Sequence, residues 1–178
     1  MKPRLVVPLV IAVLVLAFGT VAAACGGGGG GGLTLEEYFQ RLEALSTDND
    51  QRGVALFESF GEEFSSEEEQ IRATQEFWKE FLVLLGQFVN GLDDIDPPAE
   101  AEAAHEESVD AGAVMLKAYQ ELVDQMAEAE SVSELAEGFG DIELGASSDR
   151  FEQACVALQG IADANGIDVS LNCGDEEA

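Results

Sequence analysis

The chain has 178 residues and a formal net charge of −28, because 36 acidic residues outnumber 8 lysines and arginines. This acidity excludes nucleic acid as a partner, since contact with phosphates requires basic side chains. The length suffices for one buried core, and apolar residues recur at regular spacing, which excludes a wholly disordered chain.

Residues 1–24 have the three parts of a secretory signal peptide. Lys2 and Arg4 form a short positive segment, residues 5–18 are an uncharged apolar run, and residues 22–24 are three alanines that suit a peptidase. The sequence therefore predicts an exported protein.

The run Ala22-Ala23-Ala24-Cys25 resembles the lipobox of bacterial lipoproteins, with Ala22 where that family usually has leucine. The resemblance implies that the Cys25 sulfur receives a diacylglyceryl group and that cleavage makes Cys25 the N-terminus. Acyl chains on Cys25 then anchor the protein in the lipid bilayer, on the extracytoplasmic face of the cell membrane. Two alternatives stay open: ordinary signal-peptidase cleavage that leaves a free thiol, and an uncleaved transmembrane helix over residues 5–24.

A glycine tether is predicted over residues 25–33, between the anchor and a folded domain. Gly26 to Gly32 are seven consecutive glycines, which have too much backbone entropy to hold a regular structure. Their root-mean-square span is about 15 Å. Because cleavage would also remove Lys2 and Arg4, the tethered body becomes more acidic still. We expect it to stand off an anionic surface and to bind divalent cations weakly.

The chain has three cysteines, an odd number that needs an explanation in an exported protein. If Cys25 carries lipid, Cys155 and Cys173 remain as a pair in an oxidising compartment. A disulfide between them would stabilise the fold by about 3 kcal/mol. Two reduced, buried thiols are the alternative.

The acidic domain, residues 34–173, is predicted to begin with a long helix. Thr34-x-x-Glu37 matches the capping box, in which two side chains satisfy backbone N–H groups at a helix start. Apolar residues then recur at helical spacing as far as Phe64. The polar stretch near residues 49–53 predicts a kink in this helix.

Two further long helices are expected. Ser66 begins a second capping box, and a wide apolar stripe continues from it to about Asp93. Asp96 as the N-cap and Pro97 in the first turn predict a third helix over residues 97–130, because proline is favoured at that position.

The last part of the chain alternates short helices and turns. A capping box predicts a short helix over residues 131–138, and residues 140–148 are expected to be irregular. Asp149 is the predicted start of a final helix that ends at Asn165-Gly166, a typical C-cap. Residues 167–173 alternate apolar and polar side chains, so we expect them to be extended and to fold back along that helix.

Strand signals are otherwise scarce, and the predicted fold is all-α: an elongated antiparallel helical bundle with a short extended C-terminal segment. Residues 174–178 are predicted to be a disordered tail.

His105, the only histidine, and Trp78, the only tryptophan, are the candidate ligand contacts. Glu102 and His105 have the Glu-x-x-His spacing of di-iron bundles, but such sites need a second histidine, so that site is excluded within one chain. We expect His105 to cap or hydrogen-bond within the bundle and Trp78 to pack in its core, with a ligand contact as the alternative for each. No catalytic residue, metal site or cofactor is predicted.

Two stretches of the domain resemble uncharacterised bacterial lipoproteins. Residues 93–116, "DDIDPPAEAEAAHEESVDAGAVML", are similar to a helical hairpin in which a Pro-Pro turn and an Ala-His pair introduce the returning helix. Residues 154–173, "ACVALQGIADANGIDVSLNC", are similar to the closing segment of those proteins with its paired cysteines. The resemblance implies a helical fold and an envelope location and no particular activity.

The sequence therefore predicts a non-enzymatic binding or interaction module of the cell envelope, anchored to the membrane through Cys25. A ligand-binding component serving transport or cell-wall processes, with a cleft near the aromatic edges, is the alternative. The expected partner is an envelope protein or a small molecule.

Overall fold

The computed structural model describes residues 32–60, 64–140 and 145–173, and the described part of the chain contains helices and no strand. The helices are α1 (Leu35–Ser59), α2 (Glu67–Asp93), α3 (Glu102–Met126), α4 (Val132–Gly140) and α5 (Gly145–Ala164). The predicted all-α helical bundle is confirmed. Cys25, the predicted signal peptide, the predicted tether up to residue 31 and the predicted tail at residues 174–178 lie outside the described residues.

The start of α1 matches the predicted capping box. Thr34 Oγ1 accepts a hydrogen bond of 3.2 Å from the Glu37 N–H, and the Glu37 carboxylate accepts one of 3.0 Å from the Thr34 N–H. The helix continues without interruption through residues 49–53 and ends at Ser59, five residues before the predicted end at Phe64. It ends there because Phe60 is extended and its ring packs against Phe77, with the ring centroids 4.8 Å apart.

The second helix begins and ends where the sequence predicts. Ser66 Oγ accepts a hydrogen bond from the Glu69 N–H, and the Glu69 carboxylate accepts one from the Ser65 N–H instead of the Ser66 N–H. The helix ends at Asp93.

The predicted start of the third helix is wrong. It begins at Glu102, and Asp96 and Pro97 precede it. Pro97 is itself followed by Pro98, and a residue before proline is disfavoured in helical conformation, so the first turn cannot form there. The Ala101 N–H instead donates to the Pro98 carbonyl in a turn that leads into α3.

The predicted bounds of the later helices also need correction. The third helix ends at Met126 instead of residue 130. After Met126 the Gln75 amide of α2 donates to the Met126 and Ala129 carbonyls, and these hydrogen bonds replace those of a further helical turn. The fourth starts at Val132 as expected and ends at Gly140. The fifth starts at Gly145, ahead of Asp149, and Ser147 in its first turn is buried. Of the residues expected to be irregular, 141–144 lie outside the described ranges.

The first three helices pack as antiparallel neighbours. Phe57 near the end of α1 meets Phe77 near the start of α2, with ring centroids 5.1 Å apart. Leu45 lies against Gly91 so closely that a Cβ at Gly91 would sit 2.8 Å from Leu45 Cδ1. A side chain at Gly91 would therefore require the Leu45 side chain to shift.

Two apolar clusters fill the described part of the bundle. The larger joins α1, α2, α5 and the C-terminal segment, with Tyr38, Phe39 and Ala162 completely buried at its centre. The smaller joins α3 to α4 through Leu122, Met126 and Leu135. Burying side chains of this size contributes about 1.5–3 kcal/mol each, so these clusters are the main source of stability.

The adjacent aromatic residues of α2 serve different interfaces. Phe77 packs against Phe57 and Phe60, and so faces α1 and the chain that leaves it. Trp78 stacks on Tyr119 of α3, with ring centroids 5.9 Å apart. This is the division expected for neighbouring positions about 100° apart on a helix.

After α5 the chain reverses at Gly166, whose φ of +68° is a conformation that glycine adopts without strain. Residues 167–173, which we call the strap, then fold back along α5 as predicted, without regular secondary structure. The strap is not extended throughout, because Asn172 has a left-handed φ of 50°. The amide of Gln159 in α5 holds the strap by donating to the Val169 carbonyl and accepting from the Leu171 N–H, each at 3.0 Å.

The strap also runs beside α1, at the other end of the sequence. The Ser170 N–H donates to the Glu43 carboxylate at 2.9 Å, and the Ser46 hydroxyl donates to the Leu171 carbonyl at 3.3 Å. The strap thus bridges the first and last described helices. None of the helices in the described ranges is long and apolar enough to cross a membrane.

Candidate functional site: an apolar cleft

A cleft of about 360 Å³ lies where α1, α2, α3, α5 and the strap meet. This volume is within the range of small-molecule sites, which are mostly apolar with a few placed polar groups. The cleft walls are leucine, valine, methionine and phenylalanine side chains: Leu42, Leu45, Leu85, Phe88, Val89, Leu92, Met115, Phe151, Leu158 and Leu171.

The two faces of the cleft are held in place by aromatic and disulfide contacts. Phe88 of α2 meets Phe151 of α5 with ring centroids 6.0 Å apart. The disulfide between Cys155 and Cys173, with Cα atoms 5.4 Å apart, joins α5 to the end of the strap, and both cysteines line the cleft. The predicted pairing of these cysteines therefore forms part of a cleft wall.

Gly112 of α3 contributes backbone to the cleft. A Cβ at this position would lie 3.1 Å from Val89 Cγ2 and 3.8 Å from Phe151 Cε2. A side chain at this position would therefore press on Val89 and come into ordinary contact with Phe151, and glycine leaves this space open.

Most polar groups that line the cleft already have hydrogen-bond partners. Ser108 Oγ donates to the Ala104 carbonyl at 2.9 Å, the hydroxyl of Ser46 is used by the strap, and Asn172 Nδ2 donates to the Asp50 carboxylate at 3.0 Å. Asn49 is different: its Oδ1 is buried and has no hydrogen-bond partner. A buried acceptor without a donor is costly, so Asn49 lowers the stability of the α1 wall of the cleft.

The rim of the cleft is acidic. Asp50 and Glu152 line it and are exposed to solvent, and the described residues that form the cleft include no lysine, arginine or histidine. The local field therefore repels anions and favours uncharged or cationic molecules.

The structure does not bring the two sequence-predicted contact residues into this cleft. Trp78 is half-buried in an aromatic cluster with Phe77, Phe81 and Tyr119. His105 is only 4% exposed, and its Nδ1 lies 3.0 Å from the Tyr38 hydroxyl in a buried hydrogen bond. The expected packing of Trp78 and hydrogen bonding of His105 are therefore both observed.

The titratable groups with shifted pKa values also lie outside the cleft. Burial lowers the pKa of His105, against the opposing effect of the Asp93 and Glu106 carboxylates. Hydrogen bonds from Thr34, Ser65 and Arg150 lower the pKa of the exposed carboxyls of Glu37, Glu69 and Glu107 respectively. Each of these three bonds joins structural elements or caps a helix, so the shifts reflect folding contacts.

Within the described residues, no group of three or more histidine, cysteine or acidic side chains is arranged to hold a metal ion. The cleft instead offers mostly apolar contact area, with the Asp50 and Glu152 carboxylates at its rim. Its chemistry suits binding.

Sequence reasoning missed Asn49 because residues 46–50 look like an interruption of the first helix. The helical spacing of α1 nevertheless indicated that Asn49 faces inward. The inward face of α1 follows helical spacing through Leu42, Leu45, Ser46, Asn49 and Gly53. This spacing places the Asn49 amide on the side that faces the core.

The chain matches no protein-family model, no curated protein and no solved structure. The geometry of the cleft and the pattern of the N-terminal residues are therefore the basis for assigning a function.

Proposed function

We propose that this protein is an exported, lipid-anchored binding module that holds a small, mostly apolar molecule in the cleft, without catalysing a reaction. The cleft itself carries the proposal. It combines mostly apolar walls with a volume of about 360 Å³, which is typical of a small-molecule site. A ligand-binding role in transport or at the cell wall, which the sequence offered as an alternative, thereby becomes the favoured function.

A binding role is also supported by the position of the one histidine of the chain. The Nδ1 of His105 is engaged by Tyr38 and the residue does not line the cleft, so general acid–base catalysis by imidazole has no access to a bound molecule. The carboxylates of Asp50 and Glu152 lie at the exposed rim of the cleft.

The test uses the full chain in lipid nanodiscs, with its methionine methyl groups labelled with ¹³C. Met115 lines the cleft, whereas Met126 is 2% exposed in the separate α3–α4 cluster and serves as an internal control. The probe is 1-aminonaphthalene, an uncharged aromatic amine of suitable size. We expect the Met115 methyl resonance to shift saturably while that of Met126 stays in place.

Two substitutions on α2 make the test specific for the cleft. Leu85→Trp fills the space from a lining position and should abolish the Met115 shift. Val83→Trp places the same side chain at a position that is 58% exposed, and should leave the shift unchanged. A Met115 resonance that ignores the probe in the unsubstituted chain would contradict a ligand-binding cleft.

The anchor is tested separately, because it rests on the resemblance at Cys25 and not on the cleft. Cells fed an alkynyl fatty acid should label the unsubstituted protein, and Cys25→Ser should remove the label and release the protein from membranes. Retention of an unmodified thiol at Cys25 would overturn the lipoprotein assignment and leave the binding proposal standing.

A further inference from the structure

A second groove, of about 740 Å³, lies where the end of α2, the turn at Pro97 and the start of α3 meet. It shares no lining residue with the apolar cleft, so a molecule bound there is independent of the proposed function. The described residues that line it include no lysine or arginine. Five exposed carboxylates line this groove, which we call the acidic groove: Asp93, Asp96, Glu102, Glu106 and Asp110. The acidic groove therefore attracts cations.

His105 is the buried polar side chain of the acidic groove. Its Nδ1 is engaged by the Tyr38 hydroxyl, and its Nε2 has no hydrogen-bond partner within the described ranges. In those ranges, Asn49 Oδ1 is the one side-chain nitrogen or oxygen that is both inaccessible and unpaired, so the unpaired His105 Nε2 is accessible. Because His105 lines the groove, a molecule bound there can meet this nitrogen.

The hydrogen bond to Tyr38 decides which nitrogen of His105 carries a proton. Tyr38 is completely buried, and its hydroxyl has one partner among the described residues, His105 Nδ1. Burial raises the pKa of Tyr38, so the phenol keeps its proton and must donate it to Nδ1, since a buried donor without an acceptor is costly. Burial also lowers the pKa of His105 and so favours the neutral ring, whose proton then lies on Nε2. His105 thus offers the acidic groove an N–H donor.

Two carboxylates from different helices lie near this donor. The charges of Asp93 and Glu106 act on His105 and oppose the effect of burial on its pKa. Asp93 is the last residue of α2, and Glu106 follows His105 in α3. Neither carboxylate is paired with a lysine or arginine of the described chain. The acidic groove therefore combines one N–H donor with two uncompensated negative charges.

This combination disfavours three kinds of ligand. Anions are repelled by the carboxylates, and so is the phosphate beside the ammonium group of a phospholipid head group. A metal ion needs a free imidazole lone pair, but Nδ1 of His105 accepts from Tyr38 and Nε2 carries a proton. A simple alkylammonium compound pairs with the carboxylates but leaves the Nε2–H without an acceptor.

We infer that the acidic groove binds a small amino alcohol, whose ammonium groups pair with Asp93 and Glu106 and whose hydroxyl oxygen accepts a hydrogen bond from His105 Nε2. The exposed carboxylates supply charge attraction. The buried imidazole, fixed by Tyr38, supplies the selection for the hydroxyl.

The test titrates 1,3-diamino-2-propanol into the full chain in phosphatidylcholine nanodiscs, with histidine labelled with ¹⁵N and a purification tag free of histidine. His105 is the one histidine of the chain, so its two ring nitrogens are observed without overlap. We expect the free protein to carry the proton on Nε2, and the Nε2 resonance to shift saturably with the probe.

Two matched compounds separate the hydroxyl from the charge. 1,3-Diaminopropane has the same two ammonium groups and no hydroxyl, and should bind about threefold to tenfold more weakly, the range for one hydrogen bond. Glycerol has hydroxyls and no ammonium group, and should leave the His105 resonances in place.

Glu106→Gln removes one charge beside His105 at an exposed position and should weaken binding of 1,3-diamino-2-propanol by about twofold to fivefold. Glu76→Gln makes the same change in net charge at an exposed position of α2 outside the groove, and should leave binding unchanged.

Equal binding of the diamine and the diamino alcohol would overturn the role of His105, and this comparison depends on no variant. A proton on Nδ1 in the free protein would contradict that role as well. Equal weakening by Glu106→Gln and Glu76→Gln would show that the overall charge of the chain, and not the groove, attracts the probe. A probe that shifts neither nitrogen would refute the acidic groove as a site and leave the proposed function of the cleft standing.

Discussion

The Tyr38 hydroxyl and His105 Nδ1 lie 3.0 Å apart and join the first helix to the third in the interior of the bundle. Tyr38 is completely buried and His105 is 4% exposed, so water does not compete for this hydrogen bond. The two rings also meet edge to face, with centroids 5.7 Å apart. The pair couples helices whose sequences are far apart and lies away from the cleft.

We expect Tyr38→Phe to destabilise the protein by about 1–3 kcal/mol, because it leaves His105 Nδ1 buried without its partner. In thermal unfolding this corresponds to a fall of at least about 2–4 °C. Tyr119→Phe is the matched control, since Tyr119 is half-buried and packs through its ring on Trp78. Equal effects of the two substitutions would show that the Tyr38 hydroxyl contributes nothing specific.

The pKa shift of His105 predicts how stability depends on pH. Burial lowers the pKa in the folded state below the ordinary value of 6.5, so the unfolded chain takes up a proton first as the pH falls. This contribution to stability is complete above the ordinary value and is lost as the pH falls from there towards the folded-state pKa. The free energy of unfolding of His105→Asn should therefore vary less over this window. Parallel curves for the two proteins would contradict the shift.

Loss of the disulfide should lower the stability of the fold and should also weaken binding in the cleft, because the disulfide holds the strap. Cys155→Ser combined with Cys173→Ser opens a link between residues 18 positions apart and should cost about 3 kcal/mol. Because the strap forms one wall, the Met115 response to 1-aminonaphthalene should also weaken. Reduction of the unsubstituted protein with dithiothreitol should reproduce both effects, and a probe response that survives reduction would show that the strap is held by its hydrogen bonds alone.

The unpaired acceptor of Asn49 predicts that the ligand-free protein is less stable than it could be. Asn49→Leu should raise the free energy of unfolding by about 1 kcal/mol, because an apolar side chain in an apolar cleft leaves no buried carbonyl unsatisfied. A binding site commonly carries such a cost. Urea denaturation measures the change in the free energy of unfolding, with Asn90→Leu, the same change at an exposed position of α2, as the control. A lower stability for Asn49→Leu alone would show that the amide is satisfied in the free protein.

The charge of the chain predicts that salt stabilises the fold. The described residues contain three ion pairs, Arg52 with Asp48, Lys117 with Glu121 and Arg150 with Glu107, all between exposed side chains. Exposed pairs of this kind contribute little to stability, and the net charge of −28 already counts their lysine and arginines. The melting temperature should therefore rise when sodium chloride increases from about 10 mM to 1 M. Tetramethylammonium chloride separates screening from cation binding, and a melting temperature flat in both salts would contradict self-repulsion.

Local signals in the sequence predicted the helix starts best. The capping residues Thr34 and Ser66 act on backbone N–H groups two or three positions away, so the sequence contains all of the relevant chemistry. The error at Pro97 has the same local character: the preference of proline for a first helical turn competes with the restriction imposed by the next residue, Pro98, and the restriction prevails.

The cleft could not be predicted in the same way. Its walls come from four helices and the strap, and Ser46 and Leu171 meet across 125 positions of sequence. Apolar periodicity shows that a residue faces inward and does not show whether the facing elements fill the space between them. The Cys155–Cys173 pair was predictable because the chain has three cysteines and Cys25 was assigned to lipid. The unpaired Asn49 Oδ1 was not predictable, because it depends on which donors the tertiary packing brings near it.

The strap is synthesised after every helix that it closes. Its contacts with Glu43, Ser46 and Asp50 reach back to the first helix, so a growing chain can form its helices while this side of the domain is still an open trough. The proposed binding function therefore depends on the strap, and a protein cut before residue 167 would keep its helices but lack one wall of the cleft.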